Sequence, residues 1–204
     1  MKLLQGLAMP CVAGSLALAA AQAPTIPESL ARAGTSLQSG ASMPSGAAPA
    51  VDRVLEQTDV IVRGTVGQPR SYLSDDLTEV LSDYPLSDAE VLYARSELRG
   101  TIDTASFAAT IHGGVVEINH LTFSTAHAGL PRLNPGSRAV LCLQKDGARF
   151  MIALRFFGAF EITGDELVPT TTKTGFAPEM RGVPMAQALA ALVTRAGSVH
   201  RRLE

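Results

Sequence analysis

The stretch from Asn134 to Pro169 constrains the fold most. A turn signal, Asn134-Pro135-Gly136, opens two dense apolar runs, Ala139–Leu143 and Phe150–Phe157, hinged at Lys145-Asp146-Gly147. After a glycine break, a third run from Gly158 to Val168 turns at Gly164-Asp165. Short β-branched and aromatic segments separated by Gly, Asp and Pro at this spacing predict a β-meander, and hence a mainly β folded region. No catalytic signature lies inside it.

Upstream, Val51 to Gln57 predicts a short helical turn leading into a first strand, Asp59 to Val66. Val60, Val62 and Val66 share one face of that strand while Arg63 and Thr65 point away, the period of a half-buried strand, and Gly64 marks a bulge or bend. Gly67 to Asp76 reads as a polar connection. Leu77 to Leu98 starts as strand, with Val80, Tyr84 and Leu86 on one face, whereas Ser87 to Leu98 is open between strand and a helix capped at Ser87 with Glu90 three residues on. Pro85 and the return to Val91 and Tyr93 favour a long, bent, bulged edge strand. Phe107–Ile111 and Val115–Phe123 make the next strand or hairpin around Gly113-Gly114, a pair suited to a tight bend. After a loop through Thr170–Thr172 and Pro178, Pro184 opens a helix with Met185, Leu189, Leu192, Val193 and Ala196 on one face and Gly197 as its stop.

Five or six strands in about 120 residues with one terminal helix suffice for a single core, and a closed barrel leaves the fewest strand edges. The expected fold is therefore a small five- to six-stranded OB-like barrel over residues 51–204, with a C-terminal α-helix at about 184–196.

The N-terminus is of another character. Lys2 precedes an apolar stretch, Leu3 to Ala21, ending in the A-x-A pattern Ala21-Gln22-Ala23, so residues 1–23 read as a removed secretory signal. Gly6, Pro10 and Gly14 make a retained membrane anchor a marginal helix. From Pro24 to Ala50 the chain is rich in Pro, Ser, Gly and Ala, with only Glu28 and Arg32 charged, which predicts a disordered linker.

Of 204 residues, 17 are Lys or Arg and 19 Asp or Glu. Loss of Lys2 with the signal leaves a mature chain near −3, which argues against a nucleic-acid binder that tracks phosphates. Trp is absent, which disfavours a stacking platform for bases or sugars. Cleavage also removes Cys11. Cys142, alone in Val140-Leu141-Cys142-Leu143, then reads as a small buried hydrophobe.

His112 and His120 would lie about 26 Å apart on one continuous strand, beyond the reach of one metal ion. His120 and His127 are the better metal candidates, since the loop Ser124 to Gly129 can bring them together, but no third ligand lies nearby in sequence. No nucleophile elbow, S-x-x-K, H-E-x-x-H or Walker loop is present. The acidic group Asp75, Asp76, Glu79, Asp83, Asp88 and Glu90 lacks the EF-hand pattern and reads as a solvated strand edge.

Taken together, Val60–Val66, the long Tyr84-containing strand ending near Leu98-Arg99-Gly100, Gly113-Gly114, Leu133–Gly136 before Ala139–Leu143, and Gly158–Ile162 resemble uncharacterised secreted bacterial proteins. These look like small OB-like barrels, distantly similar in layout to the netrin-like domains of metalloproteinase inhibitors. The resemblance spans about residues 51–197 and implies fold rather than function. Those inhibitors carry an N-terminal cysteine and disulfides that this chain lacks after cleavage, so no inhibitory residue carries over.

The expected function is a secreted or periplasmic, non-enzymatic binding or interaction module for a protein or small ligand. It is read as a monomer without cofactor, nucleic acid or membrane contact, with loops near Tyr72–Asp76 and His120–Gly129 as its binding surface. The alternatives are a metal-dependent hydrolase site on His120 and His127, or a protease-inhibitor-like domain.

Overall fold

The computed structural model describes residues 24–39, 47–125, 133–155, 157–171 and 176–203. The fold is mainly β, as expected. Its centre is a closed barrel of five strands: β2 (Val60–Val66), β4 (Val80–Ala94), β5 (Ala108–His112), β8 (Arg138–Asp146) and β9 (Arg149–Ile152). Going round, β2 pairs antiparallel with β4, β4 with β5, β5 parallel with β9, β9 with β8, and β8 back with β2. Parallel closure between β5 and β9 rests on a single register pair, Thr110 with Met151. The meander is thus partly redrawn. The strand after β9 does not pair with it: the chain crosses at Gly158 into β10 (Ala159–Thr163), which takes the same edge of β8 as β9 but further along, beside Ala139–Leu141, and carries β11 (Glu166–Pro169).

Gly158 makes that crossing possible. A Cβ there would sit 2.4 Å from the Cys142 carbonyl oxygen, so only glycine lets the chain pass close enough for the Cys142 amide to donate to the Gly158 carbonyl at 2.6 Å.

The long strand β4 is bent and bulged, as its sequence suggests, with register shifts opposite Ile61/Val62 and Arg63/Thr65. Only its second half behaves as an edge. Its first half is flanked on one side by β3 (Arg70–Leu73), a strand inside the stretch read as a plain connection, and on the other by β5. Gly113 and Gly114 then lift the chain out of the barrel sheet into a hairpin of β6 (Gly114–Ile118) and β7 (Leu121–Thr125).

The expectation of a single core and a half-buried first strand is corrected by how the layers stack. Val62, Val66, Leu141 and Leu143 fill the barrel together with Leu86, Phe107 and Ile111. The alternate residues Ile61, Val140 and Cys142 are equally buried outside it, under α2 (Val51–Glu56) and α3 (Met185–Leu203). Strands β2 and β8 therefore bury both faces, which accounts for their near-continuous apolar runs. The terminal helix docks on the barrel as expected, but it does not stop at Gly197 and runs on to Leu203. Burial of Val199 and His200 carries it past the glycine: the His200 Nε2–H donates to the Thr58 carbonyl at 2.8 Å and its ring stacks on Tyr93. Arg195 ties α3 to α2 through Asp52 at 2.9 Å and also reaches Glu179.

The segment expected to be a disordered linker carries ordered elements. Helix α1 (Ile26–Ala33) begins with a capping box in which Thr25 and Glu28 exchange side-chain and backbone hydrogen bonds, and ends on Gly34 at a φ of 65°. Its Ile26 and Leu30 are buried with Val80, Val116 and Phe123, and β1 (Leu37–Ser39) adds a parallel strand to β7. Two apolar side chains one turn apart, on a helix capped at both ends, offset the ordering entropy that composition alone weighs against. The signal expected at residues 1–23 lies outside the described residues. Among the described residues no helix is long and apolar enough to cross a membrane.

Candidate functional site

The two histidines proposed as metal ligands are not brought together. His120 and Asn119 form the tip of the β6–β7 hairpin, both at positive φ, and the His120 side chain is 99% exposed, its Nδ1 3.8 Å from a Glu117 carboxylate oxygen. His127 lies outside the described residues, as do residues 126–129 of the loop His120–Gly129 expected to bind. Among the described residues no group of three or more His, Cys, Asp or Glu is placed to hold a metal ion. Cys142 is fully buried, and burial pushes its thiol up to about 12, against the weaker opposing effect of its hydrogen bond with Thr58.

Of the acidic group, Asp75, Asp76, Glu79, Asp88 and Glu90 are exposed, as a solvated edge requires, and Asp83 is half-buried. Asp83 and Glu79 face outward from the β3–β4–β5 side of the barrel and are engaged there. The pleat alternates inward Ala109 and Ile111 with outward Thr110 and His112 on β5, and pairs Asp83 of β4 with Thr110. The Thr110 hydroxyl, only 2% exposed as a residue, donates to Asp83 Oδ1 at 2.7 Å, and the Tyr72 hydroxyl of β3 donates to the same oxygen at 2.9 Å. Two neutral donors on one oxygen fix the carboxylate without neutralising it. The other oxygen, Oδ2, accepts no hydrogen bond from any described residue. Partial burial, followed by the hydrogen bond to Asp83, pushes the Tyr72 phenol above its ordinary range, so it stays a donor across neutral pH.

Arg149 of β9 completes this corner. Its guanidinium carbon lies 5.7 Å from the Tyr72 ring centroid, and it pairs with Asp75 at 3.4 Å. Thus the connection between β2 and β4, carrying Tyr72 and Asp75, meets the β8–β9 turn over the outer faces of β4 and β5. A groove of about 350 Å³ opens there, lined by Asp83, Thr110, Asp103, Ser106, Lys145 and Arg149 over an apolar floor of Phe107 and Phe150. Phe107 and Phe150 stack with centroids 4.9 Å apart, which holds the floor rigid. A neighbouring groove of about 480 Å³ lies on the far side of Lys145, around His112. There the His112 Nδ1 meets a Glu79 carboxylate oxygen at 2.8 Å.

Of the expected binding segment Tyr72–Asp76, neither Tyr72 nor Asp75 lines the groove; Tyr72 contacts Asp83 and Asp75 contacts Arg149, which do. Thr110 and Arg149 carried no sequence signal, because nothing in their spacing relates them to Asp83, 27 residues from Thr110. Alternation on β5 alone could have pointed Thr110 and His112 to a common outer face.

No protein-family model matches this chain, and no curated protein matches it.

Proposed function

We propose that the chain is an exported, non-enzymatic binding module and that the groove between Asp83 and Arg149 is where its ligand sits. The observation that carries this reading is the Tyr72–Asp83–Thr110 arrangement: a carboxylate immobilised through one oxygen, with the other left over at an open groove of ligand size. Such a carboxylate is pre-organised to accept a hydrogen bond, and Arg149 and Lys145 supply donors opposite it. In OB folds this face, bounded by the first and fourth connections, is the one that takes oligomeric ligands. Asp75, Asp83 and Asp103 offset the two cations, so the face suits a polar ligand with both donors and acceptors better than a phosphate backbone.

Two measurements test the proposal. Amide shifts of the isotopically labelled mature chain, recorded against soluble oligosaccharides, short peptides and organic acids, should cluster at Asp83, Ser106–Thr110 and Arg149. No response across all three ligand classes, or one confined to the β6–β7 hairpin, would remove this site. Export is tested by the intact mass of the secreted protein, expected to begin at Pro24; an unprocessed Met1 start would remove that half.

A further inference from the structure

We infer that the second groove, around His112, binds a small zwitterion with an apolar side chain, of the free amino-acid or dipeptide class. The site stands independently of the groove at Asp83, from which only Lys145 is shared.

Several polar side chains here have no partner among the described residues. Arg63, Arg95, Arg149 and Arg195 are each paired with a carboxylate elsewhere in the structure. Around this groove the side chains of Gln57, Gln144, Lys145, Asp146 and Arg155 form no hydrogen bond or ion pair with another described residue. Five unspent polar side chains along one concavity of about 480 Å³ are a complementary surface for something that carries both charges. Lys145 and Arg155 supply donors for a carboxylate, and Arg155 offers a planar fork suited to a bidentate grip.

Acceptors for an ammonium group are present as well. Glu79 holds the His112 Nδ1 at 2.8 Å and so favours the proton on that nitrogen. In the neutral ring Nε2 is then an acceptor, and Asp146 adds a carboxylate to the lining of the same groove. Lys145 and Arg155 stand with the Asp146 carboxylate along the groove, and Glu79 lies behind His112, so a zwitterion meets both signs of charge, whereas a phosphate dianion also faces carboxylates. Met151 and Leu154 add half-buried apolar surface for a side chain. Leu154 and Arg155 hold φ values of 50° and 57°, an uncommon backbone for both residue types, which turns this corner at the groove rather than continuing β9.

Calorimetry on the full mature chain tests the assignment with four probes: L-leucyl-L-leucine, N-acetyl-leucine, leucinamide and inorganic phosphate. The dipeptide should bind one per chain, while removing either terminal charge should weaken binding at least tenfold. Arg155→Glu should abolish the heat, and the remote exposed Arg201→Glu should leave it unchanged. Because Arg155→Glu changes a residue of the turn itself, amide shifts of the unmodified chain give a second reading. They should move at Gln57, His112 and Gln144–Asp146. Phosphate binding as tightly as the dipeptide, equal binding of both blocked probes, or no dipeptide binding at millimolar concentration would overturn the inference.

Discussion

Cys142 shows how one buried atom imprints pH dependence on the whole chain. Its thiol titrates at about 12 in the folded protein against an ordinary value of 9.0, so the unfolded chain loses this proton first as pH rises. Stability from this group is intact below pH 9 and is lost between pH 9 and about 12, at about 1.4 kcal/mol per pH unit. Urea midpoints recorded from pH 8 to 11 should therefore fall more steeply in the native sequence than in Cys142→Ala, and thiol reagents should label the folded protein only as fast as it unfolds. Asp83 makes a second prediction. Asp83→Ala strands the Thr110 hydroxyl, which is buried, and should cost about 1–3 kcal/mol by chemical denaturation. Cys142 was legible because its own neighbours in sequence are apolar. Asp83 was visible only as one acid among six, since its meaning lies in partners that β3 and β5 bring from either side.

Among the elements, two glycines should respond oppositely to the same change. Gly197 lies inside α3 with open space where a Cβ would go, so Gly197→Ala should stabilise the protein by about 0.5–1 kcal/mol. Gly158→Ala would drive a methyl against the Cys142 carbonyl and should destabilise by about 1–3 kcal/mol, both read from thermal melts. The glycine at 197 looked like a stop because local signals weigh a break more heavily than the burial of Val199 and His200 beyond it, which only the fold supplies. Helix α1 was overlooked for the converse reason. Its Thr25-x-x-Glu28 box and Gly34 were present in the sequence, yet average composition over 24–50 concealed them. Leu30→Ala should lower amide protection in α1 and β1 while leaving that of β2 and β8 unchanged, as expected of an arm packed on its own small core.

At the scale of the whole molecule, the barrel was legible because period-two runs and turn residues report strands directly. What sequence could not show was the second apolar layer outside β2 and β8, since a strand buried on both faces loses its alternation. Nor could it show the grooves, whose walls bring together residues as far apart in sequence as Gln57 and Arg155. Both grooves share one property of the barrel: each is lined by β5 on one side and β9 on the other. Those are the two strands joined by the single parallel pair Thr110–Met151. A cask is weakest where its last stave meets its first, and anything gripping both staves acts there as a hoop. Occupancy of either groove would be felt as slower opening of that seam, so the molecule's breathing would register its cargo even where no atom moves.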